Sequence, residues 1–336
     1  MTSSVPPTVE QFVLNDVYNL EQRLGQIHNF DVHINQLSRG KFQASFNGIT
    51  TADLQLVKLQ INRRILAVGA KPTDSFIFAV PLLPVPSLAV THAVKLPKTN
   101  CIFGFDDQRE TNLVTPPSGY HLALVIVSKK LFRHYAAAAG RHDLDDTFIR
   151  RNMVQVGSQP YSSLVQYLHE VFCVGQYQPT FLQSASAARL LEKDLLPLLI
   201  RALNVPLGAP KLRRSRRAEL VAATQMLMTA NLQHPITLDD ICQRVCSSKR
   251  ALTYGFQDIF AMAPMAFLKV QRLNGVRRVL LAADPSQNTV SQLAKEWGFW
   301  SMGHFSRDYK QLFGETPSQT LVREVDVDVR AAAALQ

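Results

Sequence analysis

Hydrophobic residues between about Phe30 and Val127 recur in short segments with the spacing of β-strands. Leu54–Ile61 approaches alternation of apolar and polar positions, which is typical of a strand with one buried face. His121–Val127 is an almost unbroken apolar run and fits a buried strand. Turn-forming residues occur at Ser38–Gly40, Asn47–Gly48 and Asp106–Asp107. We therefore predict a small β-sandwich or barrel in this region.

The pattern after Ser128 favours helices. Three are predicted: Ser128–Tyr135, Tyr161–Gly175 and Phe181–Leu203. The last one carries a wide leucine stripe made of Leu190, Leu191, Leu195, Leu198 and Leu199. This stripe has two interpretations, because it can pack within the chain or against a second copy of it.

Residues 204–217 have the composition of a linker. Two prolines and a glycine break the preceding helix, and five basic residues follow immediately. A solvated hinge and a segment that contacts phosphates are both compatible with this composition.

A sequence repeat between Thr237 and Pro317 is the strongest pattern in the chain. Apolar positions match at an offset of 52 residues from Thr237 to Val245, and at an offset of 53 from Leu252 to Pro264. Matches of this extent indicate two copies of one structural unit.

Each copy has the pattern of a short helix, a turn and a second helix. Thr237 and Thr289 are N-cap candidates for the first helices, and Gln292 completes a capping box with Thr289. The second helices follow turns at Cys246–Ser248 and Gly298–Ser301, where Ser247 or Ser248 and Ser301 can act as caps. This order predicts two helix-turn-helix motifs, in which the second helix enters the major groove of DNA.

The two copies are joined by a predicted helix over Met265–Ala283, with Leu273, Val276 and Leu280 as its apolar stripe. At 1.5 Å per residue this helix is about 28 Å long, so it can set two motifs in major grooves about 34 Å apart. Gly275 lies mid-helix, at a cost of about 1 kcal/mol relative to alanine and without a functional reason visible in the sequence.

Helical periodicity divides each second helix into a core face and an outward face. The core positions are Leu252, Phe256, Ile259 and Phe260 in the first copy, and Phe305, Tyr309, Leu312 and Phe313 in the second. The outward positions are candidates for contacts with bases or phosphates: Arg250, Thr253, Tyr254 and Gln257, and Met302, His304, Arg307 and Lys310. The alternative for each of them is an ordinary solvated helix face.

Positive charge is concentrated around the repeat. The chain carries a formal net charge of +10, of which residues 211–323 contribute +8. A basic region of this kind favours an anionic partner such as double-stranded DNA, although a merely soluble surface has the same composition.

The cysteine pattern excludes a disulfide framework. Cys101, Cys173, Cys242 and Cys246 include no Cys-x-x-Cys pair, and we interpret the last two as small buried residues on one helix face. The N-terminus lacks the pattern of a signal peptide, and prolines interrupt the longest apolar run. We expect a cytoplasmic protein without a membrane span.

Four segments carry a resemblance to a known family: Phe267–Asn274, Ala294–Phe299, His304–Lys310 and Phe313–Ser318. Together they closely resemble the AraC/XylS signature, and the match extends from Ala218 to Leu321. The resemblance implies two three-helix subdomains on one face of DNA, of which the first varies with the operator and the second is more generic. It also implies a cupin-like, jelly-roll-like N-terminal domain that binds an effector or dimerises.

These patterns predict an α+β protein with a jelly-roll-like β domain with helices, followed by an all-α domain of two helix-turn-helix subdomains and a long joining helix. The expected divisions are an effector-binding and dimerisation domain at 1–203, a basic linker at 204–217, a DNA-binding domain at 218–323 and a tail at 324–336. Within the first division, residues up to about 127 are β-rich and residues 128–203 are helical. A homodimer is expected, and RNA polymerase is a candidate partner.

The effector is expected to be a small molecule. Arg63 and Arg64 can hold an anion, including the phosphate of a nucleotide second messenger, through forked guanidinium contacts. Arg213 and Arg217 join them if the linker folds back over the β domain. A solvated pair of strand residues is the alternative interpretation of Arg63 and Arg64.

Two other classes of protein are alternatives to a ligand-controlled regulator. A cupin-type metal enzyme requires a His-x-His motif, which does not occur among the nine histidines. Phosphate-binding loops and serine nucleophile elbows are also missing, so we expect no catalytic site, cofactor or metal. The second alternative is an architectural DNA-binding protein without a ligand.

Overall fold

The computed structural model describes residues 7–27, 30–84, 89–204 and 215–323. Its strands are β1 (Thr8–Leu14), β2 (Val32–Gln36), β3 (Ala44–Thr50), β4 (Leu54–Ile61), β5 (Ile65–Gly69), β6 (Ser75–Pro81), β7 (Val90–Thr91), β8 (Val94–Lys95), β9 (Cys101–Phe103), β10 (Thr111–Val114), β11 (Tyr120–Ser128) and β12 (Met153–Gln155). They form a seven-stranded sheet in the order β1-β3-β4-β11-β6-β9-β12 and a five-stranded sheet in the order β2-β5-β10-β7-β8. Neighbouring strands are antiparallel.

Strand β11 shows why its sequence lacks alternation. It lies at the centre of the larger sheet, between β4 and β6. Leu122 and Leu124 point into the core shared with the second sheet. Val125 and Val127 point to the opposite face, which is covered by helices. A strand that is buried on both faces needs apolar residues at every position.

The N-terminal part also contains helices α1 (Val17–Gly25), α2 (Lys129–Ala138), α3 (Asp146–Ile149), α4 (Ser158–Tyr177), α5 (Pro179–Leu182) and α6 (Ala185–Ala202). Helices α2, α4 and α6 correspond to the three predicted ones. Leu191, Leu195 and Leu199 of α6 are buried in the core beneath the larger sheet, whereas Leu190 is 53% exposed. Most of the leucine stripe therefore packs within the chain.

The C-terminal part is entirely helical where it is described. Its helices are α7 (Arg216–Thr229), α8 (Leu238–Arg244), α9 (Lys249–Phe260), α10 (Pro264–Ala282), α11 (Val290–Glu296), α12 (Met302–Phe313) and α13 (Pro317–Leu321). Helices α8 and α9 form the first helix-turn-helix, and α11 and α12 form the second. Each unit has its own apolar core, and α10 contributes to both. The core of the first unit also includes β-domain residues, namely Leu37, Leu66, Val90 and Val114. The predicted α+β class, with two helix-turn-helix units on a long joining helix, is confirmed.

Three local predictions were wrong. Asn47 and Gly48 form no turn, because they lie inside β3 and pair with β4 on one side and β1 on the other. Cys246 is exposed and has a positive φ of 49°, since α8 ends before it. Ser301 occupies the N-cap position of α12 but makes no side-chain capping hydrogen bond.

The structure gives a packing reason for Gly275. A Cβ atom at this position would lie 1.9 Å from a ring carbon of Trp297, a distance at which atoms overlap. The indole of Trp297 thus packs directly on the backbone of α10. Glycine at position 275 allows the second helix-turn-helix to approach the joining helix this closely.

A buried ion-pair network joins the two parts of the molecule. Arg277 of α10 donates from Nε to Asp16 at 2.9 Å and from Nη2 to Glu315 at 2.8 Å. Burial opposes the charge on Arg277, but the nearby carboxylate of Asp16, with Tyr309 and Glu315, raises its pKa above the usual value. The joining helix is consequently fixed to the N-terminal domain as well as to α12 and α13.

Candidate nucleic-acid interface

Helix α9 presents a polar face to solvent in the first helix-turn-helix. Its core side is filled by Leu252, Phe256, Ile259 and Phe260, all buried. The four residues that the sequence places on the outward side are all exposed: Arg250, Thr253, Tyr254 and Gln257. The guanidinium of Arg250 lies over the ring of Tyr254, 5.5 Å from its centroid. This arrangement offers a flat cationic and aromatic surface at the N-terminal half of the helix.

The start of α9 is stabilised by an N-cap and by an ion pair with α8. The hydroxyl of Ser248 accepts a hydrogen bond from the backbone N–H of Ala251 at 3.2 Å, so it is the N-cap. Lys249 forms an ion pair with Asp239 at 2.6 Å, and this hydrogen bond raises the pKa of the ammonium. The first helix begins with a capping box between Thr237 and Asp240, which the sequence analysis did not identify.

Helix α12 has the same division into core and outward sides. Phe305, Tyr309, Leu312 and Phe313 are buried. His304, Arg307 and Lys310 are exposed, and Met302 is partly exposed. Arg307 Nη2 lies 3.0 Å from Nδ1 of His304, so these two side chains form one polar group near the start of the helix.

Cationic side chains from α10 and α12 converge on Asp308. Lys269 of α10 contacts this carboxylate at 2.9 Å, and Arg307 lies 3.7 Å from it. Partial burial raises the pKa of Asp308, but the hydrogen bond from Lys269 and the neighbouring positive charges lower it by more. The net result is a pKa below the usual value. The carboxylate links α12 to the joining helix.

Trp300 is a candidate contact residue that the sequence analysis placed only in a turn. It directly precedes Ser301, the N-cap residue of α12, and its side chain is 78% exposed. A large aromatic residue at the start of a recognition helix, outside the core, can pack on sugars or donate its N–H to a phosphate. The signal was its position, next to a polar helix start and outside the apolar repeat.

The residues proposed for an anionic effector are found in different environments. Arg63 donates to the backbone oxygens of Lys41 and Asn62. Arg64 is buried and both of its terminal nitrogens donate to carbonyls of α9, a structural role that the sequence did not predict. Arg217 is exposed on α7, and Arg213 lies outside the described residues.

A cavity of about 70 Å³ lies inside the β domain. Its lining is mainly apolar, and Lys71 and Tyr120 contribute polar side chains. Burial lowers the pKa of Lys71 to about 8, although Asp106 and Asp107 counteract this effect. The buried hydroxyl of Tyr120 has no hydrogen-bond partner in the described part of the chain.

The described ranges contain neither a group of metal ligands nor a membrane-spanning helix. There, no three side chains of histidine, cysteine, aspartate or glutamate are grouped so that they can hold a metal ion. No helix among the described residues combines the length and apolarity needed to cross a lipid bilayer.

Comparison with known proteins identifies the same part of the chain. Residues 241–323 match a family described as a helix-turn-helix domain. The probable thc operon regulatory protein of Rhodococcus erythropolis is 39% identical over 94 residues, and the transcriptional regulator ArgR of Pseudomonas aeruginosa is 36% identical over 94 residues. Each match covers 28% of this chain and 28% of the relative.

A solved structure also matches. It is a probable AraC family transcriptional regulator from Rhodopseudomonas palustris, with 36% sequence identity. The match covers 31% of this chain and 94% of the other, with a TM-score of 0.29. By contrast, the chain spans little more than a quarter of the length of the two curated relatives from Rhodococcus erythropolis and Pseudomonas aeruginosa.

Proposed function

We propose that this protein, whose C-terminal region is a helix-turn-helix domain of the AraC/XylS family, is a transcription regulator that inserts α9 and α12 into successive major grooves of double-stranded DNA. The observation that carries the proposal is the repeated pair of exposed polar helix faces, one on each side of α10. Helix α10 has 19 residues and is about 28 Å long, which suits two contacts one helical turn of DNA apart.

Selection of binding sites from random DNA by the full-length chain tests the proposal. We expect a motif with two conserved blocks about one helical turn apart, and an affinity that falls as salt is raised. Failure to bind any DNA at low salt, where phosphate contacts are strongest, would contradict it.

We further propose that a small molecule bound in the N-terminal domain controls DNA binding. Because the guanidinium of Arg64 is occupied by helix carbonyls, the cavity beside Lys71 and Tyr120 is better supported than a nucleotide site at Arg63 and Arg64. An ammonium at an apolar cavity suits a small anion with an apolar body. The volume of 70 Å³ is below the roughly 300 Å³ at which ligand pockets begin, so most ligands require the walls to move.

An architectural DNA-binding protein without a ligand is the second candidate. Thermal unfolding of the wild-type chain and of Lys71→Met, with small carboxylic acids added, separates the two functions. A shift in wild type that Lys71→Met loses supports a ligand-controlled regulator. The absence of any shift supports the architectural alternative.

Self-association, contact with RNA polymerase and a cytoplasmic location remain predictions. The leucine stripe of α6 no longer supports a dimer, because most of it is buried within the chain. Exposed apolar side chains near the free edge of β1, namely Val13, Tyr177 and Phe181, are better candidates for a dimer surface.

A further inference from the structure

Three kinds of contact join the β domain to the C-terminal end of the first recognition helix: apolar packing of Leu66 and Val90, an exposed ion pair between Lys95 and Asp258, and the hydrogen bonds of one buried arginine. Arg64, in the turn between β4 and β5, donates from Nη1 to the carbonyl of Phe260 at 2.7 Å and from Nη2 to that of Ile259 at 2.8 Å. These carbonyls belong to the last turn of α9, where no further helical N–H is available to them. The guanidinium therefore caps the helix from another domain.

The environment of Arg64 indicates that its guanidinium fixes the position of the end of α9. The residue is 3% exposed, burial lowers its pKa, and it has no carboxylate partner in the described part of the chain. Its charge is offset by the negative end of the helix dipole and by the two carbonyls. The planar fork fixes both the direction and the distance of the helix end.

The second recognition helix is contacted in the same way from the end of β2 and the loop that follows it. Gln36 Nε2 donates to the carbonyl of Leu312 at 2.7 Å. The backbone N–H of Gly40 donates to the same carbonyl at 3.0 Å and to that of Gln311 at 3.3 Å. Gly40 has a φ of 105°, a conformation that other residues rarely adopt.

These two contact points belong to one hydrogen-bonded unit, which we call the bridge: residues 36–40 and Arg64. The carbonyl of Arg64 accepts from the N–H of Leu37 at 2.8 Å, and its own N–H donates to the Ser38 hydroxyl at 2.9 Å. The side chain of Asn274 in α10 pairs with both backbone groups of Gln36, at 2.8 and 3.0 Å. The bridge therefore contacts α9, α10 and α12 together.

From this arrangement we propose that Arg64 is a positioning residue for DNA recognition, and that the bridge sets the separation of the two recognition helices. The inference rests on the proposed function. The bridge holds the C-terminal ends of α9 and α12, whereas Arg250 and His304 lie near their N-terminal ends. DNA and the bridge consequently do not compete for the same atoms, and a fixed helix end fixes the position of the reading residues.

The test measures tolerance to the spacing of the two DNA blocks. Base pairs are inserted or removed between the blocks of the selected site, each moving one block by about 3.4 Å along the DNA axis. For wild type we expect roughly a tenfold or larger loss of affinity per step, comparable to a mismatched base pair. For Arg64→Met we expect the loss of affinity per step to be about threefold or less. The reason is that the guanidinium no longer fixes the end of α9, so this helix can follow its DNA block.

Arg63→Met is the matched control, since Arg63 is a neighbouring arginine whose hydrogen bonds stay within the β domain. It is expected to keep the wild-type spacing penalty. A ratio of affinities is insensitive to the fraction of folded protein, and methionine is compatible with a buried site. Arg64→Lys, which keeps the charge but not the fork, should fall between the two and carries the test if Arg64→Met does not fold.

The possible failures are distinguishable. An unchanged spacing penalty in Arg64→Met, with wild type still selecting a two-block site, would overturn the positioning role alone. A wild-type chain that binds no DNA would overturn the proposed function and the positioning role with it.

Discussion

The first and second helix-turn-helix units share one helix pattern but are held to the rest of the molecule differently. The first, α8 and α9, contacts the β domain through the guanidinium of Arg64, which is bound by two helix carbonyls and, among the described residues, not by a carboxylate. The second, α11 and α12, lies beside the ion-paired Arg277 and packs Trp297 on bare backbone at Gly275. The second unit is therefore fixed by buried charge and by close packing on α10. The end of the first recognition helix is held by hydrogen bonds from Arg64, with apolar packing and an exposed Lys95–Asp258 ion pair beside them.

The largest effect is expected from Asp16→Asn, which removes the main carboxylate partner of Arg277. Asparagine still accepts the hydrogen bond that caps α1, so the change is confined to the ion pair. Breaking a buried pair on one side should lower the free energy of unfolding by about 3–5 kcal/mol. Denaturant unfolding measures it, with the exposed Asp31→Asn as control. Equal stability of the two variants would remove the distinction between the units.

Gly275→Ala should disrupt the packing of the second unit specifically. The new methyl group would overlap Trp297, and overpacking of this kind costs about 1–3 kcal/mol. Gly303→Ala in α12 is the control, because open space surrounds this position and a helical alanine is favoured by about 1 kcal/mol. Opposite signs of the two changes in thermal unfolding are expected. A stabilised Gly275→Ala variant would show that the close contact is not required.

The two units should also differ in what their outward residues read. We expect Arg250→Ala to alter the selected DNA sequence, since a base contact discriminates by about 1–3 kcal/mol. Lys310→Ala should weaken all sequences similarly and reduce the salt slope by about 1. Binding-site selection and salt titrations with each variant measure these changes. An unchanged motif with Arg250→Ala would contradict the assignment of the reading face of α9.

The smallest effect concerns the starts of the two recognition helices. Ser248 caps α9 with its side chain, whereas Ser301 at the matching position of α12 makes no such bond. Ser248→Ala should therefore destabilise the protein by about 1 kcal/mol, and Ser301→Ala by close to zero. Denaturant unfolding distinguishes them, and equal losses would mean that the two helix starts are equivalent.

Sequence periodicity predicted the helix-turn-helix units well because the information is local. The burial of Phe256 and Tyr309, and the exposure of Arg250 and Lys310, follow directly from 3.6-residue spacing. The capping residue Thr289 and its partner three positions later were predictable for the same reason.

The sequence was less informative where distant segments meet. The sequence around Arg64 suggested an anion-binding residue, because its true partner, the carbonyl of Phe260, is 196 residues away along the chain. Gly275 had no visible reason until Trp297 was placed against it. Asn47 followed by Gly48 is a strong turn signal, but pairing on both sides of β3 overrode this local preference.

Chemical footprinting of the full-length chain on its selected DNA site tests the two-helix model most directly. Methylation protection of guanine N7 reports contacts in the major groove. The model predicts two protected patches on one face of the DNA, separated by about one helical turn of 10 base pairs. Arg250→Ala should weaken protection in one patch only. A single protected patch, or two patches on opposite faces, would contradict reading by both α9 and α12.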